Sequence, residues 1–374
     1  MNGKKWIRSW LLFVLLIPLL AAFNYVVDPY GVNHLITLEG MNAKKNSNAT
    51  LTTRVKANSL EEGDFTTIML GTSKMGVMDP TIVDAYLGGK TFNFAYPGST
   101  TEIQNKLFFY ALKYNKIKNL VYGIDLMSFN KNRTIQYDFQ EFCELEEKID
   151  KQASISNYDL YFNLDTLMKS ITLVYNNVMG KMKTHVIYTK HGMRKHSNYI
   201  ESFANGSYVY EKEFIKEMKH YYLPGGMYKK YDFSTAHLKS FRDIIVFCKK
   251  NNINVWVYIP PTHSDFFNAL VPAGHYDAFE LFKNELVSIT NFTDFSGNNV
   301  FNKDTNHYWD GIHLKEGLTE VIMSNIFNQK SKDAPINFGT YVTTKNIETH
   351  LKNLRKEIVF YDLNQTLYTN DGDK

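Results

Sequence analysis

The feature that most constrains the fold is an alternation of strand-like and helix-like segments in two stretches of the chain. Short apolar runs alternate with longer segments in which apolar residues recur at helical spacing. The first stretch predicts strands at 66–70, 91–96 and 119–125, with helices at 79–87 and 99–114. The second predicts strands at 254–259 and 292–295, with helices at 234–251, 276–289 and 314–327. This alternation predicts an α/β protein in which helices cover both faces of a parallel sheet.

The N-terminus predicts a membrane segment. Lys4, Lys5 and Arg8 precede an apolar stretch that begins at Trp10 and runs to Phe23 or Val27. Its 14 to 18 residues lie at or below the roughly 17 to 25 that span a bilayer. We favour an uncleaved anchor with a cytoplasmic N-terminus and an extracytoplasmic or periplasmic bulk, because the positive charges come first. A cleaved secretory signal is the alternative, although Leu20 before Ala21-Ala22 makes a poor cleavage site.

These patterns divide the chain into four segments. They are an anchor at 1–27, a juxtamembrane segment at 28–63, an α/β domain at 64–330 and a tail at 331–374. The alternation breaks between about 130 and 230, which predicts a largely helical insertion. A basic run inside it, from Lys181 to His196, favours a solvated face, with an anionic glycan or lipid head groups as the alternative.

Charge and cysteine content restrict the partners. The net charge is only +4, from 42 basic and 38 acidic residues. This balance argues against nucleic acid as the main partner, because no dominant basic face is implied. Cys143 and Cys248 are the two cysteines. They leave open one disulfide or two free thiols.

Candidate functional residues follow the ends of the predicted strands. Ser73 follows the first strand, Gly98 the second, and Asp125 ends the third. Asp310 and His313 come after the last strand. Ligands of open parallel sheets bind beyond the carboxyl ends of the strands. We therefore expect these residues, though far apart in sequence, to face one crevice.

The residue types in this crevice suit acyl transfer. A serine hydroxyl needs a base to remove its proton, and His313 is placed to be that base for Ser73. Asp310 lies three residues before His313 and would hold the imidazole in the needed tautomer. The backbone amides of Ser73 and Gly98 are candidate donors to an oxyanion. A second interpretation is a metal-dependent hydrolase that uses His307, Asp310 and His313.

The chain resembles the SGNH (GDSL-like) hydrolase superfamily. The similarity is carried by four segments: Leu70-Gly71-Thr72-Ser73-Lys74, residues 92–98, residues 122–129 and Trp309-Asp310-Gly311-Ile312-His313-Leu314. It is closest to the membrane-anchored extracytoplasmic branch, which includes polysaccharide O-acetylation proteins of the alginate type. The resemblance implies a three-layer α/β/α, flavodoxin-like fold. It also implies a cofactor-independent O-acetyl esterase or O-acetyltransferase.

The resemblance further implies partners and substrate contacts. The substrate would be a cell-envelope glycan or an acylated small molecule, and an integral-membrane protein would be a candidate acyl donor. Asp125, Asn93 and Lys74, which lie in or beside the matched motifs, would contact the substrate. Where the family carries an oxyanion-donating asparagine, this chain has Asp125, and a carboxylate cannot donate. Asp125 could instead be structural, or the protein could be a catalytically silent scaffold or glycan-binding partner.

Overall fold

The computed structural model describes most of the chain, as two compact units. The described residues are 3–33, 36–45, 52–133, 137–148, 157–182, 187–228, 230–328, 335 and 338–368. The helical unit comprises Met1–Glu62, Gln136–Tyr188 and His196–Asn205. The sheet unit comprises Gly63–Ile135, Thr189–Lys195 and Gly206–Lys374. Lys183 and His185 of the predicted basic run lie outside the described residues.

A mostly parallel sheet forms the centre of the sheet unit. The strands of the described chain are β1 (Thr67–Gly71), β2 (Thr91–Asn93), β3 (Asn119–Gly123), β4 (Ile187–Tyr188), β5 (Arg194–Lys195), β6 (Asn254–Ile259), β7 (Phe292–Asp294) and β8 (Thr340–Val342). The order in the sheet is β2-β1-β3-β6-β7-β8, whereas β4 and β5 lie outside it. The chain is therefore an α/β protein.

Helices account for most of the remaining structure. In chain order they are α1 (Gly3–Val27), α2 (Thr52–Glu61), α3 (Ser73–Gly76), α4 (Pro80–Leu87), α5 (Thr101–Tyr114), α6 (Tyr137–Lys148), α7 (Tyr158–Tyr161), α8 (Leu164–Val178), α9 (Ser197–Ala204), α10 (Tyr210–Tyr222), α11 (Thr235–Lys250), α12 (Ser264–Asn268), α13 (Tyr276–Ile289), α14 (Val300–Lys303), α15 (Thr319–Ile326), α16 (Ile347–Glu357) and α17 (Leu363–Tyr368). The helical unit contains α1, α2 and α6 to α9.

Several predicted elements agree with the observed ones. Helix α13 and strand β6 have the predicted bounds, and Asp79 caps α4 by accepting a hydrogen bond from the Thr81 amide. The second strand ends at Asn93 instead of Tyr96, because the chain then turns so that the Tyr96 amide bonds to the Gly71 carbonyl. The last predicted helix starts late, at Thr319, because Leu314 is held in a β-bridge with Tyr308.

Two predictions about the C-terminal part are wrong. The sheet is not wholly parallel, because β8 pairs with β7 in the antiparallel direction. The segment after residue 331 is also not a separate tail, because β8 extends the sheet and α16 packs against α13. A three-residue strand with two exposed positions gives too weak an alternation to be recognised from sequence.

The carboxyl ends of the central strands lie side by side and position the candidate site. Gly71 at the end of β1 lies opposite Gly123 of β3, which in turn lies opposite Tyr258 of β6. Gly71 has a φ of +149°, and a Cβ there would lie 2.3 Å from the Gly123 carbonyl oxygen. Only glycine fits, because any side chain would push the two strand ends apart.

A buried ionic cluster ties β7 to the helices beside it. Lys283 of α13 donates to Asp294 at the end of β7, and His350 of α16 lies 2.7 Å from the same carboxylate oxygen. Burial works against ionisation of Asp294, but the positive charges of Lys283 and His350 hold the pKa of its carboxyl well below the usual range. The cluster therefore stabilises the ionised carboxylate inside the protein.

Helix α1 is long and apolar enough to cross a membrane over Lys5–Val27, which is compatible with an anchor or a signal sequence. Its last turns differ from the rest, because Ala21, Asn24 and Val27 are buried in the helical unit. The helical unit therefore packs around the last turns of α1.

Replacing Lys283 by methionine is expected to lower the free energy of unfolding by about 3–5 kcal/mol, because Asp294 would lose its main counter-charge while remaining buried. Lys239→Met removes an exposed ion pair to Asp243 and is the matched control. It should cost less than about 1 kcal/mol. Chemical denaturation of both variants measures the difference, and equal losses would contradict the structural role of the cluster.

Candidate active site

The side chains of Ser73, His313 and Asp310 are connected by two successive hydrogen bonds and form one hydrogen-bonded chain. The Ser73 hydroxyl oxygen lies 2.8 Å from Nε2 of His313. Nδ1 of the same ring lies 2.7 Å from Oδ2 of Asp310. Asp310 and His313 are buried, whereas Ser73 is partly exposed. The two predicted motifs are thus brought together, with the hydroxyl at the accessible end of the chain.

The partners of Asp310 determine the tautomer of His313. The other oxygen of this carboxylate, Oδ1, accepts hydrogen bonds from the amides of Ile312 (3.1 Å) and His313 (2.9 Å). An ionised carboxylate accepts and does not donate, so the proton between the two side chains belongs to Nδ1 of His313. In a neutral ring Nε2 is then the acceptor, and the Ser73 hydroxyl donates to it. This is the arrangement in which a histidine can remove the serine proton.

Asn93 holds the turn that carries Ser73. Ser73 begins α3 directly after β1 and the extended residue Thr72. The Asn93 side-chain amide donates to the carbonyls of Met75 (2.9 Å), Gly76 (3.2 Å) and Met78 (2.9 Å). Its oxygen accepts from the Ala95 amide, and the side chain is fully buried. The prediction that Asn93 contacts the substrate therefore needs correction, because its polar atoms are directed at the protein backbone.

A tight loop positions His313. The amide of Trp309 donates to the carbonyl of His313 at 2.9 Å, which closes the loop. Gly311 at its tip has a φ of +91°, and a Cβ there would lie 2.7 Å from the ring of Phe266 and 2.8 Å from that of Phe214. The Gly311 carbonyl accepts from the amide of His263 at 2.7 Å. Close packing and backbone bonds thus fix the base before any substrate arrives.

Two backbone amides are available as oxyanion donors. Within the part of the chain that the structure describes, the amides of Ser73 and Gly98 donate to no protein acceptor. The turn that contains Gly98 lies against the end of β1, because the Ser99 hydroxyl and the Tyr96 amide both bond to the Gly71 carbonyl. Gly98 itself has a φ of +70°, which favours glycine.

Asp125 is occupied by protein donors. One oxygen accepts from the Thr72 hydroxyl at 2.9 Å and lies 3.6 Å from the Lys74 ammonium. The other accepts from the Ser128 amide at 3.2 Å, which caps the short 3-10 turn Leu126–Phe129. Burial works against ionisation of Asp125, but Lys74, Thr72 and Arg133 hold its pKa below the usual value. Asp125 is thus an ionised structural acceptor, the alternative that the sequence left open.

A small cavity opens beside Lys74 and Asp125. Its volume is about 50 Å³. Aromatic and aliphatic side chains line most of the remaining wall, among them Tyr221, Phe266 and Ile312. This volume suits a group of very few heavy atoms. Lys74 lies at this wall with its ammonium 3.6 Å from Asp125. Its contact with the substrate stays a prediction.

Helix α10 supplies residues that the sequence analysis did not identify. Glu217 is partly buried, and burial together with the negative charge of Asp310 raises its pKa to about 8, against the influence of Lys216 and Arg194. His220 has a lowered pKa, because of partial desolvation and the positive charge of Arg133. These residues fall in the predicted insertion, where no strand end marks them, so no signal in the sequence identified them.

The alternative metal set is not assembled around His307. Its Nδ1 lies 2.9 Å from the Phe301 carbonyl, and its ring stacks on the Phe301 ring at 4.0 Å between centroids. His263 also has a structural position. Its Nδ1 accepts from the Asp265 amide and its ring packs edge-on against Phe214, while burial lowers its pKa.

Asn93→Ala is expected to destabilise the fold by about 2–4 kcal/mol, because three buried carbonyls would lose the hydrogen bond from Asn93, although the Met75 carbonyl keeps the Met78 amide as a donor. Asn105→Ala is the matched control, since its amide donates to the carbonyl of Ser240 alone among the described partners. It should cost about 1 kcal/mol. Chemical denaturation measures both losses, and a smaller effect at Asn93 than at Asn105 would refute its role in holding the Ser73 turn.

Glu217→Gln is expected to stabilise the protein at pH 8 but not at pH 4. The raised pKa keeps the folded carboxyl neutral up to about 8, whereas the unfolded chain ionises near its ordinary value. Wild type therefore loses stability as the pH rises between these values, and the neutral glutamine does not. Melting temperatures across this range test the claim, with exposed Glu211→Gln as control. A gain that is the same at every pH would contradict it.

Comparisons with known proteins add no relative to this picture. No protein-family model matches the chain, and no curated protein matches it. The chemical meaning of the Ser73–His313–Asp310 chain therefore rests on its own geometry.

Proposed function

We propose that this protein carries out serine-dependent acyl-ester chemistry. The observation that carries the proposal is the hydrogen-bonded chain from Ser73 through His313 to Asp310, with distances of 2.8 and 2.7 Å. Ser73 lies in the first third of the sequence, whereas Asp310 and His313 lie in the last third. Backbone contacts hold both the turn that carries Ser73 and the loop that carries His313. A nucleophile bonded to a base, itself oriented by a carboxylate, is the recurring arrangement of serine hydrolases on unrelated folds.

The reaction would proceed in two halves. The Ser73 oxygen attacks the ester carbonyl carbon while Nε2 of His313 takes the hydroxyl proton, and Asp310 stabilises the imidazolium. The tetrahedral intermediate then expels the alcohol, which receives that proton, and an acyl-Ser73 ester remains. A second hydroxyl, from water or from a sugar, gives its proton to His313 and attacks the acyl carbon. The Ser73 oxygen then leaves and takes that proton back from His313, which completes hydrolysis in the first case and transfer in the second.

The oxyanion would be held by the backbone amides of Ser73 and Gly98. Asp125 cannot join them, because it is ionised and accepts from Thr72 and Ser128. Losing one oxyanion donor typically costs about 10²–10³ in turnover. We therefore expect slower turnover than in enzymes that carry an asparagine at this position.

The substrate proposal combines the cavity with the resemblance. The space of about 50 Å³ is lined by Lys74 and Ile312, the residues next to Ser73 and His313 in the sequence, and its volume suits a group as small as acetyl. The motifs around Ser73, Gly98 and His313 resemble those of the SGNH hydrolase superfamily. This resemblance supports a three-layer flavodoxin-like fold for this chain. It also supports O-acetylated glycans of the cell envelope as the substrates. The apolar helix α1 is compatible with a membrane anchor. The location of the bulk of the chain outside the cytoplasm, and an integral-membrane acyl donor as its partner, belong to the proposal and rest on the resemblance.

A silent scaffold is the rival function, and the state of Asp125 favours it. The Lys74–Asp125 pair occupies two polar groups that a substrate would otherwise contact. A protein that keeps the crevice for binding a glycan, without turning over an ester, would tolerate this pairing.

Incubation with an activated acetyl ester, followed by intact-mass spectrometry, is expected to reveal one acetyl adduct or ester turnover in wild type. Ser73→Ala should abolish the adduct and reduce turnover by at least about 10³-fold, because the nucleophile is lost. Ser240→Ala, which removes a hydroxyl from the exposed side of α11, should behave as wild type.

Folded wild-type protein that forms no adduct and turns over no ester would contradict the proposal. The scaffold function would then be the better explanation. An adduct that persists in Ser73→Ala would instead place the nucleophile elsewhere.

A further inference from the structure

Helix α8 exposes its apolar residues. Leu164, Met168, Ile171, Tyr175 and Val178 recur at intervals of three and four, so they form one stripe along the helix. This stripe is open, with exposures of 69% for Leu164, 61% for Met168 and 67% for Val178. In a helix at the surface of a water-soluble protein, such a stripe normally faces the core.

The opposite face of α8 is buried and largely polar. Thr166, Ser170 and Leu173 are its buried residues. The Ser170 hydroxyl donates to the side-chain oxygen of Asn24 at 3.0 Å, and Asn24 is itself fully buried. Hydroxyls thus point into the helical unit while the large apolar side chains point out. This inversion suits a helix whose outer surroundings are hydrocarbon, because lipid does not penalise exposed apolar groups.

The neighbour of α8 is the apolar helix α1. The Asn24 amide donates to the carbonyls of Tyr161 (2.9 Å) and Asn163 (3.3 Å), which lie immediately before α8. These bonds join α8 to the last turns of α1, where the apolar segment that could span a membrane ends. A membrane that contains α1 therefore has its surface close to α8.

The length of α8 decides between spanning and lying on the membrane. Its 15 residues extend over about 22 Å, which is shorter than the roughly 30 Å of a hydrocarbon core. Its flank carries exposed polar residues, Asp165, Lys169 and Thr172, and Lys181 follows beyond its end. A short helix with an apolar stripe and a charged flank is suited to the boundary between head groups and acyl chains.

We propose that α8 is an interfacial helix whose stripe (Leu164, Met168, Ile171, Tyr175 and Val178) lies in the leaflet from which α1 emerges. The helical unit is then held to the membrane at two places, by α1 crossing it and by α8 lying in its surface. A second attachment restricts rotation about the α1 axis, which a single helix alone would allow. This inference rests on α1 lying in a bilayer, and is independent of the chemistry proposed for Ser73.

The test places a fluorescent label on one introduced cysteine at a time, in the full chain and in a Cys143→Ser background. Cys248 is buried and can stay. Labels go to Leu164→Cys, Met168→Cys and Ile171→Cys on the stripe, and to Asp165→Cys, Lys169→Cys and Thr172→Cys on the flank. Leu15→Cys on α1 is the lipid control, and Lys352→Cys on the exposed side of α16 is the water control. Each variant is reconstituted as one copy per nanodisc, without other proteins.

Quenching by doxyl-labelled lipid is expected at the stripe, by at least about twofold over the flank, and with helical periodicity, because the stripe faces acyl chains. Iodide in the buffer should quench the flank and Lys352→Cys more strongly than the stripe. Thermal melting of each variant confirms that the labelled chain is folded.

Equal iodide quenching of the stripe and Lys352→Cys, with lipid quenching confined to Leu15→Cys, would overturn the proposal and leave the stripe as a surface for another protein. If Leu15→Cys also reports water, α1 does not lie in the bilayer and the localisation proposal fails with it. One copy per disc excludes a second copy of this chain as the cause of protection.

Discussion

The close approach of β1 and β3 at Gly71 and Gly123 is the constraint on which the candidate site depends. A Cβ at Gly71 would lie 2.3 Å from the neighbouring carbonyl, so the strand ends can meet only at glycine. Their meeting allows Thr72 to bond to Asp125 and lets α3 start at Ser73. The Gly71 carbonyl also receives the Tyr96 amide, which brings the Gly98 turn to the same place. One backbone contact thus positions both the nucleophile and the candidate oxyanion donors.

Most polar residues around the candidate site have hydrogen-bond partners within the protein. Asn93, Asp125 and the loop around Gly311 satisfy their polar groups within the protein, which makes the site rigid before a substrate binds. Glu217 is the exception, since it is partly buried beside the charge of Asp310 and its neutral form is favoured. Protonation of Glu217 at neutral pH removes its negative charge from the neighbourhood of Asp310.

Helix α8 departs from the rule of burial that the sheet unit follows. In the sheet unit, apolar side chains fill the core and charges are paired, as Lys283 and Asp294 are. In the helical unit, α8 buries Thr166 and Ser170 and exposes Leu164 and Val178. The first arrangement is that of a protein in water, and the second suits contact with lipid.

The sequence by itself determined the α/β class, the approximate positions of the central strands and the candidate residues Ser73, Asp310 and His313, because periodicity and turn residues are local signals. It also predicted the apolar character of α1. Only the tertiary structure decided that Asn93 serves the backbone and that Asp125 is paired with Lys74. It also decided that Glu217 lies near enough to Asp310 for their charges to interact, and that β8 extends the sheet at one edge. These features depend on which distant residues become neighbours, and long-range packing leaves no local pattern in a single sequence.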